Sequence, residues 1–344
     1  MTTHPHTFPR TVIITGGNTG LGYSCARTIA VSGMNWHIVI ASRNQQQALQ
    51  AVNTLKRETG NQHIESMSLD LASLNSVRSF VNDSISRGLP PLHAIVCNAG
   101  IQVVSETMYT QDGFEMTFGV NCLGHFLLVN LLLRHLATPA RIVFLSSGAH
   151  YPKDFLSQMS GIMPPRYTNA RALAWPEKYP DAQVVNESPK DAGTRRYSTS
   201  KLCDLFYAYE LSHRLQSEGH STSEHPITVN AFDPGLMPGT GLARDHGSLE
   251  RFAWNVFLPM LRFVIPNVHS PGVSGKALAR LVLDSTLENI SGKYFEGMKD
   301  RTSSDESSNH QEAAELWETS AELVKLQPTE TILRLGSSLH DTIS

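Results

Sequence analysis

Tyr197-Ser-Thr-Ser-Lys201 spaces a phenol and an ammonium by four residues, which puts both on one face if the segment is helical. A phenol with an ordinary pKa near 10 is a poor proton donor to a carbonyl oxygen and a poor base at neutral pH. A cation a few ångströms away favours the phenolate and lowers that pKa. So tuned, Tyr197 could protonate an oxygen as a hydride reaches the adjacent carbon, or run the reverse. With nine tyrosines and nine lysines, chance alone would place such a pair in roughly one chain in four of this length. This is the only Tyr-x-x-x-Lys here. Ser147 ends the apolar run RIVFLSS and offers a hydroxyl that could hold the same oxygen. By itself it reads equally as a turn residue at a strand end.

A second group could bring the hydride. Residues 15–22 read TGGNTGLG, so Gly16, Gly20 and Gly22 are spaced G-x-x-x-G-x-G, with Asn18, Thr19 and Leu21 between them. Missing side chains let a backbone approach a pyrophosphate, and free N–H groups with the helix dipole favour the anion. An ordinary glycine-rich turn would look similar, but this one lies between an apolar run and a helical pattern. A site for the unphosphorylated dinucleotide usually offers an acid to the ribose 2′-hydroxyl about 20 residues on. No Asp or Glu precedes Glu58 in this chain. The second apolar run instead ends in Ala41-Ser42-Arg43, and a guanidinium fork suits a 2′-phosphate. The expected cofactor is therefore NADP(H), against the blander reading of Arg43 as a solvated surface charge.

The elements that must position these groups alternate regularly. Apolar runs at 11–15, 36–42, 63–70, 92–98 and 141–147 read as strands, and 21–31, 44–58, 73–86 and 112–136 read as helices. Near-continuous Val and Ile runs suit a parallel sheet covered on both faces, and repeated βα units call for right-handed crossovers. The expected fold is α/β: a Rossmann-type, doubly wound parallel sheet of about seven strands in the order 3-2-1-4-5-6-7. Residues 148–193 break the pattern with six prolines, and a loop of that length usually serves function. Order resumes with a helix at 197–215, a sixth strand at 227–233, a helix at 271–283, a seventh strand at 292–296 and a closing helix at 312–324. The chain reads as a single dinucleotide-binding domain over 1–344. It carries an insertion at 148–196, an apolar segment at 236–268 and a C-terminal extension at 300–344.

Composition bounds the function. Among 344 residues, 28 Lys and Arg against 31 Asp and Glu give a formal net charge of −3, too balanced for a protein that holds nucleic acid. Four cysteines (Cys25, Cys97, Cys122, Cys203) form no CxxC, and the 15 histidines form no HExxH, so neither a disulfide framework nor a metal site is expected. The start MTTHPHTFPR lacks a signal-type apolar core, and no run of 18 apolar residues occurs. A cytoplasmic setting is the expectation.

These motifs together resemble the short-chain dehydrogenase/reductase family. The resemblance rests on residues 15–22, Asp70-Leu71 in LDL, Asn98-Ala99-Gly100, Asn121 in VNCLGH, Ser147, Tyr197 with Lys201, and Pro234-Gly235-Leu236 followed by Thr240. They stand in family order over about residues 10–300. It implies a catalytic set of Ser147, Tyr197 and Lys201, with Asn121 completing a water-linked proton relay and Lys201 also binding the nicotinamide ribose. Asp70 would face the adenine, Asn98 would support the sheet near the cofactor, and Pro234, Gly235 and Thr240 would line the nicotinamide side. Within the family, SLDLASLNSVRSFV, GFEMTFGVNCLGHFLLVNLLL and FDPGLMPGTGLAR are similar to retinol-dehydrogenase-like reductases. Light-dependent protochlorophyllide reductases are similar too, in the long segment before Tyr197, in Cys203 and in EAAELWETSAELVKL. Gly100 departs from their pattern, which has alanine there.

The implied activity is hydride transfer between nicotinamide and a carbonyl or alcohol of a lipophilic substrate. Reduction of a tetrapyrrole double bond is the alternative, and an NADP-sensing protein without turnover a further one. Residues 251–266, RFAWNVFLPMLRFVIP, read as a lid over an apolar pocket, as packing or a dimer contact, or as a segment touching a bilayer surface. Family analogy pairs subunits through the helices at 112–136 and 197–215. His150 reads as a solvated loop residue, 303–308 as a flexible surface stretch, and His4 and His6 as a frayed end.

Overall fold

Strands β1 (Arg10–Thr15), β2 (Trp36–Ser42), β4 (Leu92–Cys97) and β6 (Ile227–Asp233) are runs of buried, mostly β-branched or aromatic residues. Such runs satisfy their backbone only inside a sheet with both faces covered. With β3 (Ile64–Ser68), β5 (Leu136–Leu145), β7 (Tyr294–Glu296) and β8 (Lys299–Arg301) they form one sheet in the order β3-β2-β1-β4-β5-β6-β7-β8. Every pairing is parallel except β7 with β8. The computed structural model describes residues 9–33, 35–152, 161–237 and 269–336. Thr240, the apolar segment 251–266, His4 and His6 lie outside the described residues.

Alternate strand residues face two cores. Val12, Ile14, Ile38, Ile40, Val96 and Val143 pack under helices α1 (Gly20–Ala30), α2 (Gln45–Thr59) and, further on, α7 (Pro271–Leu283). Ile13, Val39, Ile95 and Ile142 pack under α3 (Leu74–Ser86), α4 (Met116–His135) and α6 (Pro189–Ser217), a short helix α5 (Ala170–Ala174) lying between the last two in sequence. Order reverses between β1 and β4, each side being followed by a helix on the opposite face. That switch point opens a crevice at the carboxyl ends of the strands.

Three elements depart from the sequence reading. Helix α6 starts eight residues before Tyr197: Ser188 caps it by accepting from the Asp191 N–H, and Pro189 occupies its first turn, where its missing N–H costs nothing. Strand β5 begins at Leu136, directly after α4, and not at Arg141. An eighth strand, exposed at all three residues, closes the edge antiparallel. Helix α4 is long and apolar enough to cross a membrane, yet it is a core helix, almost wholly buried.

The final helix, α8 (His310–Leu323), covers α4 and α6. Trp317 is fully buried, its ring 4.8 Å from that of Phe126 on α4, edge to face. The Tyr207 hydroxyl of α6 lies 2.6 Å from Ser320 Oγ, and Arg214 bonds Glu318 at 2.7 Å. Thr331 then donates to Asn130 Oδ1 at 3.1 Å. Part of both helices that family analogy assigns to subunit pairing is thus covered by the segment 310–331.

Candidate active site

The glycine turn joins β1 to α1. Gly16 and Gly20 have φ of +65° and +58°, a region closed to most side chains. A Cβ at Gly22 would stand 2.5 Å from Asn98 Nδ2 and 2.7 Å from the Gly16 carbonyl oxygen, so only glycine fits. Thr19, the residue before the helix, makes no capping bond with its side chain, and a Cβ at Gly20 would meet nothing within 4 Å. An open space therefore lies above the N–H groups of an uncapped helix, where an anion is favoured. Asn98 Nδ2 donates to the carbonyls of Thr15 at 2.8 Å and Gly16 at 3.3 Å, holding the turn from the end of β4.

At the end of β2, Ser42 is buried and Arg43 exposed. Arg43 has no hydrogen-bond or ion-pair partner among the described residues. Asn18 reaches across to Gln47 of α2 at 3.3 Å. Asp70 follows β3 by two residues, and its Oδ1 accepts from the Ala72 N–H at 3.1 Å. Leu71 is buried, its carbonyl oxygen 2.7 Å from where a Cβ on Gly124 would stand. Past β6, Gly235 takes a φ of +74°, its N–H bonded to Asp233 Oδ1 at 2.8 Å, and Pro234 accepts from Ser274 Oγ at 2.6 Å. The Leu236 carbonyl accepts from the His269 N–H at 3.0 Å. These residues could hold a dinucleotide along the crevice, the glycine turn nearest its pyrophosphate.

Ser147, Tyr197, Lys201 and Asn121 come together from three elements. The Ser147 side chain lies close enough to the Tyr197 phenol to favour its ionised form. Lys201 Nζ lies 5.7 Å from the Tyr197 ring centroid and donates to the Leu145 carbonyl at 2.8 Å. Ser146 Oγ donates to the Lys201 carbonyl at 2.8 Å, tying β5 to α6. Asn121 sits in a widened turn of α4, Gly119–Leu123, a helical bulge of a kind frequent at functional sites. Its amide donates to the Ile101 carbonyl and to Ser200 Oγ, each at 3.0 Å, and its Oδ1 accepts from the Ile101 N–H at 2.8 Å.

Electrostatics correct one expectation. Tyr197 is only 5% exposed, and burial pushes its phenol above the ordinary value of 10. The Lys201 charge and the nearby Ser147 side chain act downward but do not reverse it. The phenol of the protein alone is therefore protonated at neutral pH.

One buried histidine, His125, escaped the sequence reading, and another, His150, was misplaced by it. His125 Nδ1 lies 2.9 Å from the Asn121 carbonyl and its Nε2 2.9 Å from Thr15 Oγ1. A carbonyl can only accept, so Nδ1 carries the proton and Nε2 accepts from the threonine hydroxyl. Thr15 Oγ1 in turn accepts from the N–H groups of Asn98 and Ala99, both at 2.9 Å. One imidazole, through Thr15, thus links the start of the glycine turn, residues 98 and 99, and Asn121. His150, expected in solvent, is fully buried: its Nδ1 faces the Ser147 carbonyl at 2.6 Å and its Nε2 accepts from the Ser304 N–H at 3.1 Å. The 303–308 stretch, expected to be loose, contains a short helical turn, Glu306–Ser308, with Ser304 and Ser307 buried. The signal for His125 was present in VNCLGH, four residues beyond Asn121. Nothing local pointed to Ser304, 154 residues from His150.

Comparison with known proteins places the chain. Residues 10–157 match the family model for short chain dehydrogenases. The chain is 35% identical over 319 residues to retinol dehydrogenase 13 of Mus musculus, covering 92% of this chain and 84% of that one. It is also 35% identical over 329 residues to protochlorophyllide reductase A, chloroplastic, of Oryza sativa subsp. japonica, covering 92% and 80%. A crystal structure of an uncharacterized protein from Mycobacterium paratuberculosis superposes with a TM-score of 0.62 at 28% identity, covering 92% of this chain and 96% of that chain. The chain belongs to the short-chain dehydrogenase/reductase family of oxidoreductases.

Proposed function

We propose that the protein is an NADP(H)-dependent oxidoreductase that moves a hydride between nicotinamide and a carbonyl or alcohol of a lipophilic substrate. The observation that carries this reading is the meeting of the Ser147 hydroxyl, the Tyr197 phenol and the Lys201 ammonium at the strand ends beside the glycine turn. When bound, the cofactor supplies or accepts the hydride. Ser147 holds the substrate oxygen by a hydrogen bond. Tyr197, protonated in the resting protein, gives its proton to that oxygen in the reducing direction. Lys201 stabilises the phenolate left behind, because its charge already acts downward on that phenol. Asn121 fixes the backbone of residues 98–101 against α6 through its bonds to Ile101 and Ser200. Arg43, exposed and without a partner among the described residues, supports the 2′-phosphorylated cofactor. The name of the mouse relative supports a lipophilic substrate. A cytoplasmic location belongs to the same proposal; fractionation of the tagged chain tests it.

The test is a screen of aldehydes, ketones and quinones followed by NADPH absorbance, then Tyr197→Phe. That variant should lose turnover by 100-fold or more, on the order expected of a general acid, and still bind NADPH. Unchanged turnover would remove Tyr197 as the acid, and absence of turnover with every carbonyl would favour the binding-protein alternative. Arg43→Asp should weaken NADPH far more than NADH; equal loss would remove the 2′-phosphate argument. The likeness to the rice protein carries a second reading, reduction of a tetrapyrrole double bond under light. A pigment absorption band bleached by illumination with NADPH would establish it.

A further inference from the structure

Asp204 lies just beyond Lys201 on α6 and is 2% exposed. Its Oδ2 is 3.0 Å from Lys201 Nζ. A second N–H of the ammonium goes to the Leu145 carbonyl at 2.8 Å. A lysine has three donors, so one is left. Nearby lies Gly100, where a Cβ would stand 3.8 Å from Nζ and 3.5 Å from Asn121 Oδ1. We propose that Asp204 is a positioning residue for Lys201: with the Leu145 carbonyl it clamps the ammonium, keeps it charged, and leaves a single N–H for a ligand hydroxyl. This inference rests on the acid–base role proposed for Tyr197 and Lys201.

Energetics supports the geometry. Burial pulls Lys201 toward the neutral amine, and the Asp204 charge leads the influences that reverse it, with Tyr197 next, so the net direction is upward. In water an ion pair raises the base and lowers the acid. Here the acid also rises, to about 6, because burial costs the carboxylate more than one ammonium returns. A buried pair of this kind is weak evidence for stability. What it does supply is a fixed charge beside the phenol.

The other groups facing the pair leave Asp204 in this role. They are Tyr197, Cys203 and Tyr207 on α6, Cys97 on β4, and Cys122 and His125 on α4; Asp233 at the end of β6 acts on Tyr197. Burial pushes the Cys97 and Cys122 thiols and the Tyr207 phenol up, and His125 down to about 4. None of those four carries charge at neutral pH.

Asp204→Asn keeps the shape and removes the charge, whereas Asp204→Glu keeps the charge. The first readout needs no turnover: the side-chain carbon resonance of Lys201 in lysine-labelled protein, assigned by its loss in Lys201→Met. In the unaltered protein it should stay that of an ammonium up to pH 10.5, the ordinary lysine midpoint. In Asp204→Asn it should titrate at least one pH unit lower. The second readout is the alkaline limb of kcat/KM, which should move down with it, KM for the carbonyl substrate holding near its original value. Asp204→Glu should restore the limb. Titration at one pH in both proteins, or below pH 10.5 in the unaltered protein, overturns the proposal. Should Asp204→Asn not fold, the titration of the unaltered protein decides alone. Should no substrate turn over, the functional reading fails while the resonance still judges the pair.

Discussion

Gly22→Ala tests whether the glycine turn is built as argued. The added Cβ would lie 2.5 Å from Asn98 Nδ2, 2.7 Å from the Gly16 carbonyl oxygen and 3.0 Å from Gly17 Cα. Asn98 can swing away only by giving up its bonds to Thr15 and Gly16, at about 1 kcal/mol each. The Gly16 oxygen is backbone and moves only if the turn moves, an overpacking cost of about 1–3 kcal/mol. Against this, alanine gains about 1 kcal/mol over glycine inside a helix. Overpacking wins: the net loss should be about 2–4 kcal/mol. Urea unfolding followed by circular dichroism reads that loss, and NADPH fluorescence titration should show at least tenfold weaker binding. Gly100→Ala is the internal control, because its Cβ would meet nothing nearer than 3.5 Å. It should change stability by no more than about 0.5 kcal/mol. If Gly22→Ala were as stable as Gly100→Ala and bound NADPH within twofold of the original, the argument that the turn requires glycine would be wrong.

Two further outcomes follow from buried groups. His125 is lowered from 6.5 to about 4, chiefly by burial, so the folded protein binds fewer protons than the unfolded chain between those values. Stability should fall as pH drops through that window, by about 3 kcal/mol in total. Asp204 runs the other way: raised from 3.8 to about 6, it costs stability as pH rises through 6. The measurement is therefore the difference between the protein and His125→Gln in urea midpoints at pH 7, 5.5 and 4.5, and parallel curves would dismiss the assignment. Trp317→Ala removes a fully buried ring packed on Phe126 and Tyr207 and should cost about 3–5 kcal/mol. A loss under 1 kcal/mol would mean that α8 is not fastened to the core as described.

The strands were legible because a doubly covered sheet demands long runs of buried Val and Ile, and little else in a soluble chain looks like 11–15 or 227–233. The switch point followed from strand order. The start of α6 was obscured by prolines, although Ser188-Pro189 is itself a start signal: a hydroxyl to cap and a ring that needs no N–H. Strand β8 carries no apolar pattern, since all three of its residues are exposed, so its place depends on β7 being there to pair with. The covering of α4 and α6 by α8 was hidden for a different reason. An apolar helix face looks the same whether a second subunit or the chain's own end will bury it.

The site divides along the same line. A spacing of four residues could tell that Tyr197 and Lys201 share a helical face, and the structure places them so. It could not tell the sign of the net shift on the phenol. That sign is set first by desolvation, which depends on everything packed around Tyr197, and only then by the charges of Lys201, Asp233 and Asp204. Desolvation wins, so the phenol rests protonated, the form that the proposed carbonyl reduction requires. The ammonium is paired with a carboxylate on the next turn, and in the proposed reaction its influence falls on the phenolate. Charge arrangements of this kind are long-range sums over a packed interior. A motif names the participants in such a sum, whereas the packing decides which of them prevails.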